Sequence, residues 1–287
     1  MIETLFEPFQ FAFFRHGLVV AMLAGALCGM IGVYVVLRGM SYIGHGLSHA
    51  IFGGAAASSV VSFNYYIGAG VWGIVSALII SRVTRRRVIG SDAAIGVITT
   101  ASFALGLAVF ARFGAAEKSI DAVLFGSILG VTVGDIWVIA VVTLGAAAMI
   151  FLCYRALLFT TFDPEVAEVS GINAGRIDAL LMLILAVSIL VTMKVIGVLL
   201  IAAMLVIPPS TARMATNSFA RMLGISTVLG SLCGFVGMYL SYHLDISPGA
   251  GIVLIGAAIF AGVWTFGSLH LLRRRPGSLW GRLARTV

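Results

Sequence analysis

Residues 39–81 read GMSYIGHGLSHAIFGGAAASSVVSFNYYIGAGVWGIVSALIIS, and these 43 positions hold no Asp, Glu, Lys or Arg. As continuous helix the stretch would be about 65 Å long, at about 1.5 Å per residue. One crossing of a bilayer takes about 20 apolar residues. The stretch therefore holds two crossings, most simply broken near Phe63-Asn64. Similar runs make up the rest of the chain. Residues 16–37, 93–111, 136–154, 222–244 and 246–272 each supply one span. Residues 179–212, interrupted only by Lys194, supply two short ones. The expected fold is all-α, a polytopic membrane protein of eight or nine transmembrane helices.

Composition agrees. The chain has 287 residues, 61% hydrophobic and 10% charged, with a mean hydropathy of +1.12. A soluble domain carries about 25% charge, and a disordered chain lacks this much apolar surface. Cys28, Cys153 and Cys233 lie scattered in apolar runs and read as small packing residues, not a disulfide framework. The 34 glycines suit helices that approach closely in lipid.

The net charge of +7 sits between the apolar runs, as a topology signal and not as a nucleic-acid surface. Of the 18 Lys and Arg, 14 fall on one side of the span model, among them Arg38, Arg82, Arg85 and Arg273; Arg15, Arg112, Lys118 and Lys194 fall on the other. The positive-inside rule makes the larger set cytoplasmic, with the C-terminus inside and the N-terminus outside. Glu3 and Glu7 precede any base, the reverse of a basic leader. Residues 1–14, with Pro8 set for a helix's first turn, read as an outer interfacial segment. Ala122 to Gly134 is apolar but too short to span, so it reads as a re-entrant or half-depth helix.

Polar groups inside spans are costly and therefore informative. In Gly44-His45-Gly46-Leu47-Ser48-His49, two histidines four apart share one helix face. Imidazole is a common ligand for first-row transition metals. The pair suits two roles: metal contact, or interface histidines hydrogen-bonded to backbone or Ser48. Residues 159–176 are the least apolar internal segment. There Asp163 reads as N-cap, Pro164 as first helical residue, Glu165 as first-turn acid and Gly171 as the stop. The result is a cytoplasmic helix of about seven residues, either a docking element or a plain surface helix. Pro208-Pro209 is expected to stop or kink its span. Asp245, with His243 nearby, marks an outer turn that either attracts cations or simply caps a helix.

The chain has no phosphate-loop signature, no His-Glu-x-x-His, no Gly-x-Ser-x-Gly and no acid–base relay in its spans. An intramembrane hydrolase using the histidine pair would lack both the nucleophile elbow and the acid. Without a coupling site of its own, the protein needs a partner to drive it, or it is a passive or gradient-driven carrier.

Five blocks in order carry a resemblance over about residues 15–270: Val35 to Gly44 with Leu47-Ser48-His49-Ala50; Ile95 to Thr100 with Phe103 to Gly106; Leu124 to Gly130; Asp163-Pro164-Glu165 with Ala167 and Gly171; and Leu199-Leu200 through Pro208 with Thr211-Ala212. The chain resembles the permease subunits of bacterial ABC importers for zinc, manganese and iron, the metal ABC-3 family. The resemblance implies a fold like the vitamin-B12-type importers and a single permease domain over 1–287, with a coupling loop at 156–176 and a basic tail at 273–287. It implies no catalysis in this chain. A cytoplasmic ABC ATPase dimer, which holds the ATP, would dock on Asp163, Pro164, Glu165, Glu168 and Gly171. A second permease copy would complete a central path in the bacterial cytoplasmic (inner) membrane. An extracytoplasmic metal-binding protein would deliver the ion, with Asp245 and His243 at the outer mouth. The cargo would be a divalent ion, zinc or manganese and possibly iron, touched by His45 and His49. In the family the second-span motif usually reads Gly-Asp-x-x-x-His; here His45 stands where that Asp would be. Two imidazoles in place of a carboxylate–imidazole pair suit zinc better than manganese. A siderophore or vitamin cargo would need a wider path.

Overall fold

The computed structural model describes residues 6–60, 64–85, 89–113 and 130–273, and every regular element among them is helical. A 3-10 turn, Glu7–Gln10, leads into α1 (Ala12–Leu37). Then follow α2 (Ile43–Val60), α3 (Tyr65–Arg85), α4 (Ser91–Phe113), α5 (Val133–Leu152), α6 (Tyr154–Phe162) and α7 (Pro164–Val169). The chain closes with α8 (Ala174–Ile196), α9 (Val198–Ala215), α10 (Phe219–Leu244) and α11 (Pro248–Arg273). Among the described residues seven helices are long and apolar enough to cross a membrane: α1, α3, α4, α5, α8, α10 and α11. Two more sit at expected runs. α2 is 18 residues long but is made more polar by its histidines and serines, and the apolar part of α9 is short. The chain is a multi-pass membrane protein.

Several boundaries differ from expectation, each for a local reason. α1 begins at Ala12, so Phe13 and Phe14 belong to the first span and not to an interfacial segment. Pro8 does sit at the start of the short 3-10 turn, and Phe9 packs edge-on against Phe14 at 5.5 Å. α5 begins at Val133 because Thr132 and Asp135 form a reciprocal capping box, so Gly134 is part of that span. The remainder of the expected half-depth helix, residues 122–129, lies outside the described residues, as does the tail from 274.

The helix through Lys194 runs on to Ile196; the break between α8 and α9 falls at Gly197, whose φ of 85° favours glycine. Pro208 and Pro209 lie inside α9, which continues to Ala215 instead of stopping. Proline removes the donor for the carbonyl four residues earlier. The Leu205 carbonyl so released packs on Gly32 of α1, where a Cβ would come within 2.2 Å of it. Neighbouring helices of this kind let prolines persist in spans.

The bundle forms around two seams. α1 packs most closely on α10, through Gly25 against Gly230, Gly29 against Ser226, and Ala21 against Gly234. A Cβ on Gly25 would lie 2.1 Å from the Gly230 carbonyl oxygen. The Ser226 hydroxyl donates to the Gly29 carbonyl, 2.5 Å away. α2 meets α4 the same way, with Gly106 against the Gly53 backbone. Small residues replace the hydrophobic drive that lipid cannot supply. α8 threads between the groups, touching α1, α2, α3, α5 and α9.

Candidate metal pathway and coupling site

α1 ends in a tight turn. Arg38 caps it, Gly39 takes φ 65°, and the Met40 N–H returns to the Val35 carbonyl at 3.0 Å. This left-handed stop is a common helix C-terminal motif. It hands the chain almost directly to α2, so His45 and His49 occupy the first two turns of that helix. Their rings meet edge-to-face at 4.5 Å between centroids. Tyr42 packs on His45 at 5.4 Å and Phe103 of α4 on His49 at 5.1 Å. A Cβ on Gly44 would reach Leu205 of α9, and one on Gly46 would reach Thr99 of α4, each at 2.7 Å. The two glycines therefore let α2 settle between α9 and α4.

Both histidines are half-buried. The Ser48 hydroxyl donates to the His45 backbone carbonyl at 2.8 Å. The Nδ1 of His49 is buried and has no hydrogen-bond partner among the described residues. An unpaired buried nitrogen is uncommon and calls for an explanation, a bound ion among them. Among the described residues no group of three His, Cys, Asp or Glu is placed to hold a metal ion, so His45 and His49 stand as a pair of imidazoles without a third such side chain.

The expected short helix is α7. The Asp163 carboxylate accepts from the backbone N–H groups of Glu165 at 3.1 Å and Val166 at 3.0 Å, and Pro164 opens the helix. Gly171, at φ 81°, ends it, and the Ile172 N–H returns to the Ala167 carbonyl at 2.9 Å. Ala167 is buried and seats the helix, while Glu165, Glu168 and Val169 face outward, Val169 being 91% exposed. Gly171 is exposed too, so the residues of the expected coupling site share one projecting element.

Sequence reasoning missed what lies behind it. Arg38, read as a topology signal, is the centre of a polar joint. Its Nη1 contacts Asp178 at 2.5 Å, its Nε donates to Thr161 at 3.1 Å and its Nη2 to Thr160 at 2.9 Å. Arg85 lies 3.4 Å from Glu168 and 3.9 Å from Asp178. These residues line an open cavity of about 550 Å³ together with Glu165. No local spacing signals the joint, because Arg38 and Asp178 are 140 positions apart. The adjacent Thr160-Thr161 at the foot of α6 was the one available hint.

Asp245 and His243 are not brought to the histidine pair. α10 packs on α1, α11 and α9, whereas α2 packs on α4, α3 and α9, with no comparable contact between α2 and α10 among the described residues. Asp245 takes φ 55° and ends α10, its N–H bonded to the Ser241 carbonyl, which is the capping role. The exposed His243 packs against Tyr239 at 4.7 Å and Tyr242 at 5.5 Å.

Residues 10–267 match the model of the ABC 3 transport family. The manganese transport system membrane protein MntC of Halalkalibacterium halodurans is 34% identical, over 90% of this chain and 88% of its own. A probable iron transport system membrane protein of Haemophilus influenzae is 32% identical, over 94% of this chain and all of its own. In the solved structure of PsaBC from Streptococcus pneumoniae in complex with Fab, one chain superposes with a TM-score of 0.80. It is 32% identical, and the match covers 92% of this chain and 95% of that one. With that match spanning most of an all-helical multi-pass bundle, and relatives more than 30% identical along nearly its whole length, the chain belongs to the ABC 3 transport family.

Proposed function

We propose that this chain is the membrane subunit of an ATP-driven importer that carries a divalent transition metal into the bacterial cytoplasm. The observation that carries the reading is the His45–His49 pair, with one buried imidazole nitrogen unpaired. A bare divalent ion needs a protein- or water-lined path through hydrocarbon. Two imidazoles from one chain leave the ion's coordination incomplete. A second copy related by a two-fold axis would supply two more. The face of α4 turned away from the bundle supports such pairing. Its exposed positions are apolar or small, Ala93, Val97, Thr100, Ala101, Ala104 and Ala108 among them, with Leu105 and Leu107 beside them, a surface that another helix could cover. A site of this kind must hold the ion weakly, or the ion never leaves.

The engine is a separate ABC ATPase dimer in the cytoplasm, docking on the projecting helix α7 through Asp163, Pro164, Glu165, Glu168 and Gly171. An extracytoplasmic metal-binding protein loads the opposite face. The N-terminus is then outside and the C-terminus inside. Relatives named for manganese and iron favour those cargoes. A second reading, zinc, is favoured by the all-nitrogen donor pair, since carboxylate ligands suit manganese and imidazole suits zinc.

Radiolabelled manganese and zinc uptake into proteoliposomes holding the permease, its ATPase and its binding protein tests the reading. Uptake is expected to require ATP and to fall at least tenfold in His49→Ala, with assembly of the complex unchanged. Full uptake by that variant would remove the site. Uptake by the permease without the ATPase would make the protein a passive or gradient-driven carrier.

A further inference from the structure

We infer that Arg38 is a positioning residue that transmits movement of the coupling helix α7 to the metal-contacting turn of α2, through a three-point lock on Thr160, Thr161 and Asp178. The inference rests on the proposed ATP-driven function, because it assigns the path by which the power stroke reaches His45 and His49.

The chemistry of the lock is directional. The Thr160 hydroxyl donates to the Ala156 carbonyl at 2.9 Å, and the Thr161 hydroxyl to the Leu157 carbonyl at 2.6 Å. A hydroxyl has one proton, so in these geometries each threonine spends it on α6 and accepts from the Arg38 guanidinium. Arg38 thus holds two rungs of α6 at once, while its third arm reaches Asp178 in the second turn of α8. A planar fork holds three acceptors in fixed geometry, which a lysine ammonium does not.

The lock sits at the right place in the chain on both sides. Toward the ATPase, a single residue, Asp163, separates α6 from α7. Its N–H closes α6 on the Phe159 carbonyl at 2.8 Å while its carboxylate caps α7. Toward the pathway, Arg38 is itself the cap of α1, and His45 follows seven residues later across a turn pinned by backbone bonds. Asp178 faces Arg38 with one carboxylate oxygen and Arg85 with the other; Arg85 in turn faces Glu168 on α7. The groups around the open cavity therefore join α7, α6, α1, α3 and α8 by side-chain bonds, where an apolar contact would let them slide.

The test uses the full complex of permease, ATPase and binding protein. Ions moved per ATP hydrolysed are measured for the native chain, the double variant Thr160→Val/Thr161→Val, its conservative counterpart Thr160→Ser/Thr161→Ser, Asp178→Asn and Arg38→Lys. Spin labels at Ser170→Cys beside α7 and at Ser41→Cys before α2, each paired with Val228→Cys on α10, report movement on nucleotide binding. The valine double variant, Asp178→Asn and Arg38→Lys are expected to keep hydrolysing ATP while ions per ATP fall at least fivefold. In them the Ser170 distance still changes and the Ser41 distance no longer does; the serine double variant restores both. Unchanged ions per ATP, or joint movement of the two labels in the valine double variant and in Asp178→Asn, would overturn the inference. Failure of the native complex to take up metal with ATP would instead overturn the proposed function, and the label distances would still decide the lock.

Discussion

The middle and the C-terminal end of α1 work by opposite means. Along its middle, Gly25 and Gly29 press on Gly230 and Ser226 of α10, backbone against backbone, with no room for one added carbon. At its end, Arg38 reaches across an open cavity and holds three side chains by directed bonds. The first contact has a single arrangement, fixed by sterics. The second keeps its bonds as long as α1, α6 and α8 move together. An almost uncharged bundle thus separates a frame from a joint: glycine seams set which helices are neighbours, and a few ionic groups at one end set which of them move as a unit.

The sharpest way to break this contrast is to add bulk to the seam. Gly230→Val places a Cβ 2.0 Å from the Gly25 carbonyl oxygen. We expect a loss of more than about 3 kcal/mol, as for severe overpacking, read as a large drop in Tm in detergent. Gly224→Val on the same helix meets nothing within 4 Å and is expected to change stability by less than about 1 kcal/mol. Equal effects at the two positions would deny that the seam is the frame. A smaller change sharpens the other side. Asp163→Ala removes the acceptor for two backbone N–H groups of α7, a loss of about 1 kcal/mol for an N-cap. Faster amide exchange at Glu165 and Val166, with weaker ATPase binding and an unchanged Tm of the bundle, is expected. Unaltered exchange would show that α7 is held by something other than its cap.

Much of this was legible in the residues. Charge-free runs of spanning length correspond to helices because the bilayer admits little else, and Asp163-Pro164-Glu165 with Gly171 announced both ends of α7 by local backbone chemistry. The breaks were less legible where tertiary contact overrode a local rule. Pro208-Pro209 does not end α9, because α1 offers Gly32 to the carbonyl that the proline leaves unbonded. Lys194 interrupts hydropathy without interrupting the helix, whereas Gly197 breaks it by its φ. The start of α5 was written in Thr132 and Asp135, a capping box that hydropathy does not register. The histidine pair was visible as a spacing; the unpaired Nδ1 of His49 was not, since it depends on what α4 brings beside it. Arg38 and Asp178 were invisible as a pair because nothing local links a basic residue after the first span to an acid in a later helix.

The central claim is that imidazole touches the passing ion. Pulsed EPR of manganese(II) bound to the purified permease complex measures that contact directly, through the magnetic coupling of the ion to ligand nitrogen. A nitrogen coupling is expected in the native complex and is expected to be lost in the His45→Ala/His49→Ala double variant. Manganese bound with no nitrogen coupling, or a coupling unchanged in that double variant, would contradict it.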